Sequence, residues 1–152
     1  MTEILKVPAA VLRPLRDKVL RENLPPGSVY AGDDSGDSCH LAAYLGGEIV
    51  AVGTIYREQL SDRPELDAWR IRGMATLPEY QGQGIGRQIA NLLVEHAVAQ
   101  HAHVLWCQAR TSKRRFYHAL GFVDLGQEYG HSEYSNVRFV KMIQYFPISR
   151  KL

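Results

Sequence analysis

Apolar residues recur along the chain with two different periods, and the places where the period switches mark out the elements. Residues 4–7 form a short extended run, and residues 9–21 place Leu12, Leu15, Val19 and Leu20 on one helical face. Leu24-Pro25-Pro26-Gly27 ends that helix. The segment Ala31-Gly32-Asp33-Asp34-Ser35-Gly36-Asp37 reads as a turn-rich loop whose carboxylates are solvated turn formers, without the spacing of a calcium loop. Residues 40–45 and 48–56 are predicted strands, and Gly46-Gly47 between them is a hairpin signal. A polar loop over 58–67 leads to a strand at 69–76. A helix is then predicted from near Gly84 to about Gln100, with Ile85, Ile89, Leu92, Leu93, His96 and Ala97 on one face. Residues 104–108 read as a fifth strand, 112–120 as a short helix closed by Gly121, and 122–125 and 138–145 as two last strands. Strands alternating with helices, with hairpins at both ends, predict a mixed α/β sheet.

Composition narrows the picture without changing it. The 152 residues, 45% hydrophobic and 22% charged, suit one soluble domain spanning 1–152. No apolar run approaches the roughly 20 residues of a membrane span. The charged residues Glu3, Lys6, Arg13, Arg16, Asp17 and Lys18 interrupt any secretory signal, so a cytoplasmic location is expected. Arg150-Lys151-Leu152 only approximates a peroxisomal address and reads as a solvated tail. A net charge of +2 does not argue for nucleic acid or an acidic membrane as partner. Cys39 and Cys107, the only cysteines, both open or occupy apolar runs and read as reduced packing residues.

Candidate chemistry concentrates in Gln81-Gly82-Gln83-Gly84-Ile85-Gly86-Arg87, between a strand and the long helix. Glycines at 82, 84 and 86 let the chain turn sharply, approach a ligand closely and aim free N–H groups at one point, and the helix start adds its positive dipole end. Either a phosphate-bearing ligand sits there or the glycines serve only a tight strand-to-helix connection. The loop is not a P-loop, because Arg87-Gln88 stands where Lys and Ser or Thr are required. Nor is it a dinucleotide loop, since the glycines are evenly spaced and no acidic residue lies about 20 positions on.

The spacing Gln81-x-x-Gly84-x-Gly86 instead resembles the (Gln/Arg)-x-x-Gly-x-(Gly/Ala) signature of the GNAT superfamily of acyl-CoA-dependent N-acetyltransferases. Residues 70–80, Arg-Ile-Arg-Gly-Met-Ala-Thr-Leu-Pro-Glu-Tyr, resemble that family's fourth strand and its lead into the loop. Residues 110–122, with Phe116-Tyr117 and Leu120-Gly121-Phe122, resemble its second motif, and the resemblance covers nearly the whole chain. It implies a mostly antiparallel sheet of about six to seven strands flanked by about four helices and split between strands 4 and 5. It also implies acetyl-CoA as co-substrate, no metal, and a small-molecule or peptide amine as acceptor, in a monomer or homodimer.

By the same resemblance, the backbone of Gln81, Gly82, Gln83, Gly84, Ile85, Gly86 and Arg87 holds the pyrophosphate. Met74, Ala75 and Thr76 at a strand bulge hold the pantetheine arm, and Tyr117 protonates the departing thiolate. Gly73 fits a strand that must bend. Gln108-Ala109-Arg110 stands where other branches carry Asn-Ala-Arg, and Arg110 and Lys113 stand where many members carry Asn and a small residue. Gln108, Arg110 and Lys113 are therefore candidate coenzyme A contacts, while Lys113-Arg114-Arg115 either meet its phosphates or form a solvated helix face. Strand 69–76 holds no carboxylate to act as base, so Glu65, Asp67, His40, His131 and Glu133 are candidates beside a water chain. Arg138 replaces the His that relatives often carry before the last strand's Met, and Arg16 faces either the acceptor or solvent. The rival of another class is a catalytically silent acyl-CoA-binding sensor. An aminoglycoside- or protein-directed regulator differs from the first reading only in its acceptor.

Overall fold

The computed structural model describes residues 2–22 and 24–147, so the tail at Arg150-Lys151-Leu152 lies outside the described residues. Seven strands, β1 (Glu3–Lys6), β2 (Cys39–Leu45), β3 (Glu48–Arg57), β4 (Ala68–Thr76), β5 (Val104–Arg110), β6 (Val123–His131) and β7 (Tyr134–Tyr145), form one sheet. Three α-helices accompany them among the described residues: α1 (Ala9–Leu20), α2 (Ile85–Ala99) and α3 (Arg114–Ala119). Single 3₁₀ turns at Pro78–Tyr80 and Thr111–Lys113 precede α2 and α3. Strand order is β1-β2-β3-β4-β5-β7-β6, antiparallel throughout except where β4 meets β5.

Two glycine positions shape the sheet. Gly46 and Gly47 both take positive φ, +59° and +82°, as a tight hairpin whose twist matches its strands requires. Val52 pairs with Ala75 and Thr54 with Arg72, so on β3 only Gly53 stands opposite both Gly73 and Met74 of β4. That is a bulge with its glycine at φ +68°, a left-handed conformation other residues adopt only under strain. A Cβ at Gly73 would also lie 2.9 Å from Arg16 Nε and from the Tyr30 ring.

Beyond the bulge the sheet opens. β4 and β5 pair only through Ala68 with Val104, Trp69 with Leu105 and Arg70 with Trp106, although β4 runs on to Thr76 and β5 to Arg110. A V-shaped cleft results, with unpaired strand edges on both sides. Its walls are anchored in a core where Leu12 of α1 and Ile89, Leu93 and Ala97 of α2 pack against Val52, Ile55, Ile71 and Leu105 of the sheet.

Helix α2 buries Ile85, Ile89, Ala90, Leu93 and Ala97, while Leu92, expected on that face, is 41% exposed. The strands expected at 122–125 and 138–145 are longer, running to His131 and starting at Tyr134 as one hairpin. β6 is an edge strand with hardly a buried residue, so it carries none of the apolar alternation by which strands are read. Gly126, at φ +82°, accompanies an irregularity in its pairing.

Candidate active site

A cavity of about 630 Å³ fills the cleft between β4 and β5. Its floor is the bulged end of β4. One end is closed by the loop before α2, the opposite wall by β5 and α3, and the other end by Tyr30, Tyr134 and Phe139. Of the residues singled out in the sequence, Met74, Ala75, Thr76, Gln81, Gly82, Gly84, Ile85, Gly86, Arg87, Gln108, Arg110, Lys113 and Tyr117 all line it. Gln83 does not, and its amide is turned toward the Glu79 carbonyl at 3.5 Å.

The loop keeps its donors free. Gln81 Nε2 donates to the Thr76 carbonyl at 3.0 Å, tying the loop back to the end of β4. Gly84 caps α2 in the left-handed region, at φ +84°, and the first capping bond is from Gln88 N to Gly84 O. The backbone N–H groups from Gly82 to Arg87 have no carbonyl partner in turns or caps among the described residues. A Cβ at Gly82 or Gly84 would meet nothing within 4 Å, whereas one at Gly86 would touch Thr76 Oγ1 at 3.4 Å and the Phe116 ring at 3.7 Å. The first two glycines leave room for a ligand, and the third lets the helix start lie close to β4 and α3. Free N–H groups at a helix N-terminus, with the helix dipole behind them, suit a pyrophosphate.

Tyr117 is held by the way α3 ends. Gly121, at φ +96°, donates to the His118 carbonyl at 3.0 Å and Phe122 donates to the Tyr117 carbonyl at 3.0 Å, the paired bonds of a Schellman cap. The apolar contact that accompanies such a cap is here Tyr117 against Phe122, edge to face with ring centroids 5.6 Å apart, while Phe116 meets Tyr117 at 5.1 Å. The ring is fixed on both sides. Burial, with the neighbouring Cys107 thiol, pushes the phenol well above its ordinary pKa, which keeps it protonated.

Residues 10–122 match the acetyltransferase (GNAT) family. The chain belongs to the GNAT acetyltransferase family. It is 28% identical over 134 residues to the uncharacterised N-acetyltransferase YitI of Bacillus subtilis (strain 168), covering 85% of this chain and 87% of that one. Among solved structures it superposes on Escherichia coli ElaA with a TM-score of 0.77 at 19% identity, over 95% of this chain and 99% of that one. It also superposes on yncA of Salmonella typhimurium, a structure with its cofactor acetyl-CoA, with a TM-score of 0.73 at 15% identity, over 100% and 98% of the two chains. The seven-stranded open sheet is thus the GNAT fold, and N-acetyl transfer is the family's activity.

Within the GNAT cleft, the basic residues separate by their partners. Arg114, grouped in the sequence with Lys113, is occupied by Asp124 at 3.3 Å and Glu128 at 2.9 Å, and Arg115 does not line the cavity. Arg110 donates to the Leu20 carbonyl at the end of α1 at 2.8 Å and lies 5.4 Å from the Tyr134 ring, so its guanidinium is held toward α1 and the β6–β7 hairpin. Arg70 donates to Gln108 Oε1 at 2.8 Å and to Glu58 at 2.9 Å, which uses the Gln108 carbonyl and leaves its NH₂.

Arg16 faces neither acceptor nor solvent. Wholly buried, it donates to both carboxylate oxygens of Asp33 at 2.9 and 3.0 Å, to the Ser28 carbonyl and to Thr54 Oγ1. Asp33 is correspondingly not a solvated turn former but 3% exposed. Burial alone would raise its carboxyl, yet the bonds from Arg16 and the Tyr30 N–H hold it below the usual range. His40 belongs to the same group, with Nδ1 at 2.8 Å from Thr54 Oγ1 and Nε2 donating to the Asp33 carbonyl at 2.8 Å. This network packs the loop after α1 against the back of the bulge.

That leaves few candidates for a base. His40 has both ring nitrogens engaged, Asp67 pairs with Arg57 at 3.0 Å, and Glu65 is exposed away from the cavity. Glu133 pairs with Arg21 at 2.8 Å beside a second chamber of about 290 Å³. Only His131 of the five lines the main cavity, with Nδ1 accepting the Glu133 N–H at 3.1 Å. Tyr30, Arg72, Tyr129, Tyr134 and Phe139, which the sequence did not single out, complete this end. The Tyr129 hydroxyl is buried without a partner among the described residues. Cys39 and Cys107 are free and buried, and desolvation pushes both thiols up.

Proposed function

We propose that the protein transfers an acetyl group from acetyl-CoA to a primary amine by direct attack in a ternary complex. The observation that carries this reading is that Gly82, Gly84, Ile85, Gly86 and Arg87, with their free N–H groups, and the Tyr117 side chain line one cavity, at the point where β4 and β5 part. The loop suits the pyrophosphate, with Arg87 and Lys113 adding positive charge at the same end. The unpaired edge of β4 at Met74, Ala75 and Thr76 offers backbone donors and acceptors for the pantetheine arm and the thioester carbonyl.

The amine must arrive neutral, having lost its ammonium proton to water or to a base such as His131. Its lone pair forms the new C–N bond at the thioester carbonyl, the C–S bond breaks, and the electron pair leaves on sulfur. Tyr117 protonates that thiolate, and the surplus proton on nitrogen passes to solvent and restores the phenol. Products are an acetamide and free coenzyme A. The chemistry asks mainly for placement and a positioned proton donor, which a narrow, preformed cleft supplies.

Thiol release from acetyl-CoA across a panel of primary amines tests the proposal, together with calorimetric titration of acetyl-CoA. Tight binding with amine-dependent thiol release is expected. Tight binding with no turnover on any amine would assign the chain instead as a silent acyl-CoA-binding domain, and absence of binding would remove both readings.

A further inference from the structure

The main cavity is lined by five basic side chains, Arg70, Arg72, Arg87, Arg110 and Lys113, and by no Asp or Glu among the described residues. Three of the five are accounted for. Arg87 and Lys113 lie with the loop and α3, where coenzyme A phosphates would neutralise them, and Arg70 already has Glu58 at 2.9 Å. Arg72 and Arg110 have no carboxylate within salt-bridge distance among the described residues.

What surrounds these two is aromatic and neutral. The Arg72 guanidinium lies 4.1 Å from the centre of the Tyr30 ring, and its one hydrogen bond among the described residues is to the Tyr56 hydroxyl at 3.3 Å. Arg16 lies over the same ring at 4.2 Å, but Asp33 neutralises it. Arg110 has the Leu20 carbonyl and the Tyr134 ring. Arg72 also lines the second chamber, whose single carboxylate among the described residues, Glu133, is held by Arg21. Two half-buried guanidiniums with most donors unused leave uncompensated positive charge at the end of the cleft away from the phosphate loop. A planar fork of donors in that setting matches a carboxylate.

We propose that the acceptor is an amino carboxylate, a compact primary amine bearing a carboxylate near its nitrogen, with Arg72 as the principal anchor and Arg110 adding charge. The inference rests on the N-acetyltransferase reading and names its substrate class. Tyr30, Tyr134 and Phe139 give the site apolar walls, so an aromatic or aliphatic amino acid fits better than a polar one. The same positive field disfavours polycationic acceptors such as aminosugars and lysine-rich peptides.

Matched pairs test it: tyrosine against tyramine, phenylalanine against phenethylamine, with the aminophosphonate analogue of phenylalanine as a third arm, each in thiol-release kinetics at saturating acetyl-CoA. The carboxylate member is expected to have a higher kcat/KM by on the order of 10- to 100-fold. In Arg72→Gln the tyrosine-to-tyramine ratio of kcat/KM should fall by about tenfold or more, with Arg72→Lys intermediate and acetyl-CoA affinity confirming a folded protein. Preference for the amine that lacks the carboxylate, an unchanged ratio in Arg72→Gln, or best turnover of a polyamine overturns the proposal. Preference for the phosphonate moves the site to a phosphate-type anion and overturns the carboxylate assignment. If no amine is turned over, the acetyltransferase reading fails separately, and calorimetry of N-acetyltyrosine against N-acetyltyramine with coenzyme A present still decides the anion site. Equal binding of those two sinks it.

Discussion

Arg70 and Gln108 join the two strands just where their pairing stops: Arg70 belongs to the last β4–β5 pair, and its Nη2 donates to Gln108 Oε1 at 2.8 Å across the opening cleft. Backbone pairing ends there and a side-chain bridge takes over. Trp106 lies beneath, with its ring 4.7 Å from the Arg70 guanidinium and its indole N–H on the Glu58 carbonyl. Gln108→Ala should therefore lower unfolding free energy by about 1 kcal/mol in urea melts. Arg70→Met, which leaves Glu58 without its partner, should cost at least as much. No change in either would show the bridge to be incidental.

Tyr117→Phe removes the proposed proton donor and little else, because the ring keeps its contacts with Phe116 and Phe122. We expect kcat to fall about 100-fold with acetyl-CoA affinity within twofold of wild type. An unchanged kcat would assign the thiolate's proton to another source.

Stability should decline in alkali in a defined order. The folded pKa values of Cys107 and Tyr117 are both raised, so below their unfolded values, about 8.5 and 10, neither contributes a pH dependence. Above those values the unfolded chain loses protons that the folded one retains, and stability falls as pH rises. Melting temperature should thus begin to drop near pH 8.5 and drop more steeply past pH 10. Cys107→Ala should lessen the first part of the decline, leaving the share that the raised Cys39 thiol contributes, and an identical profile in that variant would contradict the assignment.

At the acid end the sign reverses. Asp33 is held below the usual carboxylate range, so its contribution is present above about pH 4 and is lost as pH falls below it. Asp33→Asn leaves Arg16 as a buried charge with an incomplete set of partners and should destabilise by about 3–5 kcal/mol. Thermal unfolding at pH 7 measures this, and a loss under 1 kcal/mol would mean that water reaches Arg16.

Gly84→Ala separates the loop's conformation from its ligand. With φ at +84° and open space around it, the added methyl should cost about 1 kcal/mol of stability through backbone strain alone. It would project into the space proposed for the pyrophosphate, and acetyl-CoA affinity should fall at least about tenfold, well beyond that of a surface control. Normal affinity by calorimetry would place the phosphates elsewhere.

The parts of the cleft readable from sequence are those where backbone need leaves a mark. Gly73, Gly82, Gly84 and Gly121 all take positive φ, so bulge, loop and cap were each signalled by a residue type that few others can replace. The wall made by Tyr129 of β6 and by Tyr134 and Phe139 of β7 was not, because β6 and the first half of β7 bury almost nothing and their strand character comes from backbone pairing rather than from an apolar pattern. Arg16 was misread for a related reason. A charged residue on a helix face looks solvated unless its counterion is known, and Asp33 is 17 residues away in a segment that reads as a surface loop. Leu92 erred in the opposite sense, since helical spacing counted an apolar side chain into a face that the packing places just outside the core.

The junction of β4 with β5 is only three pairs long, and it divides responsibility within the cleft. Everything proposed to handle the donor comes from residues 73–87 and 112–117, whereas the acceptor wall comes from Tyr30 and the β6–β7 hairpin, whose backbone pairs with the rest of the sheet through β7 alone. Exchange of that tip, or of its neighbours Arg72 and Arg110, would retune the choice of nucleophile while the phosphate cradle and the phenol stay as they are. A scaffold partitioned in this way keeps one reaction and is free to diversify its clients.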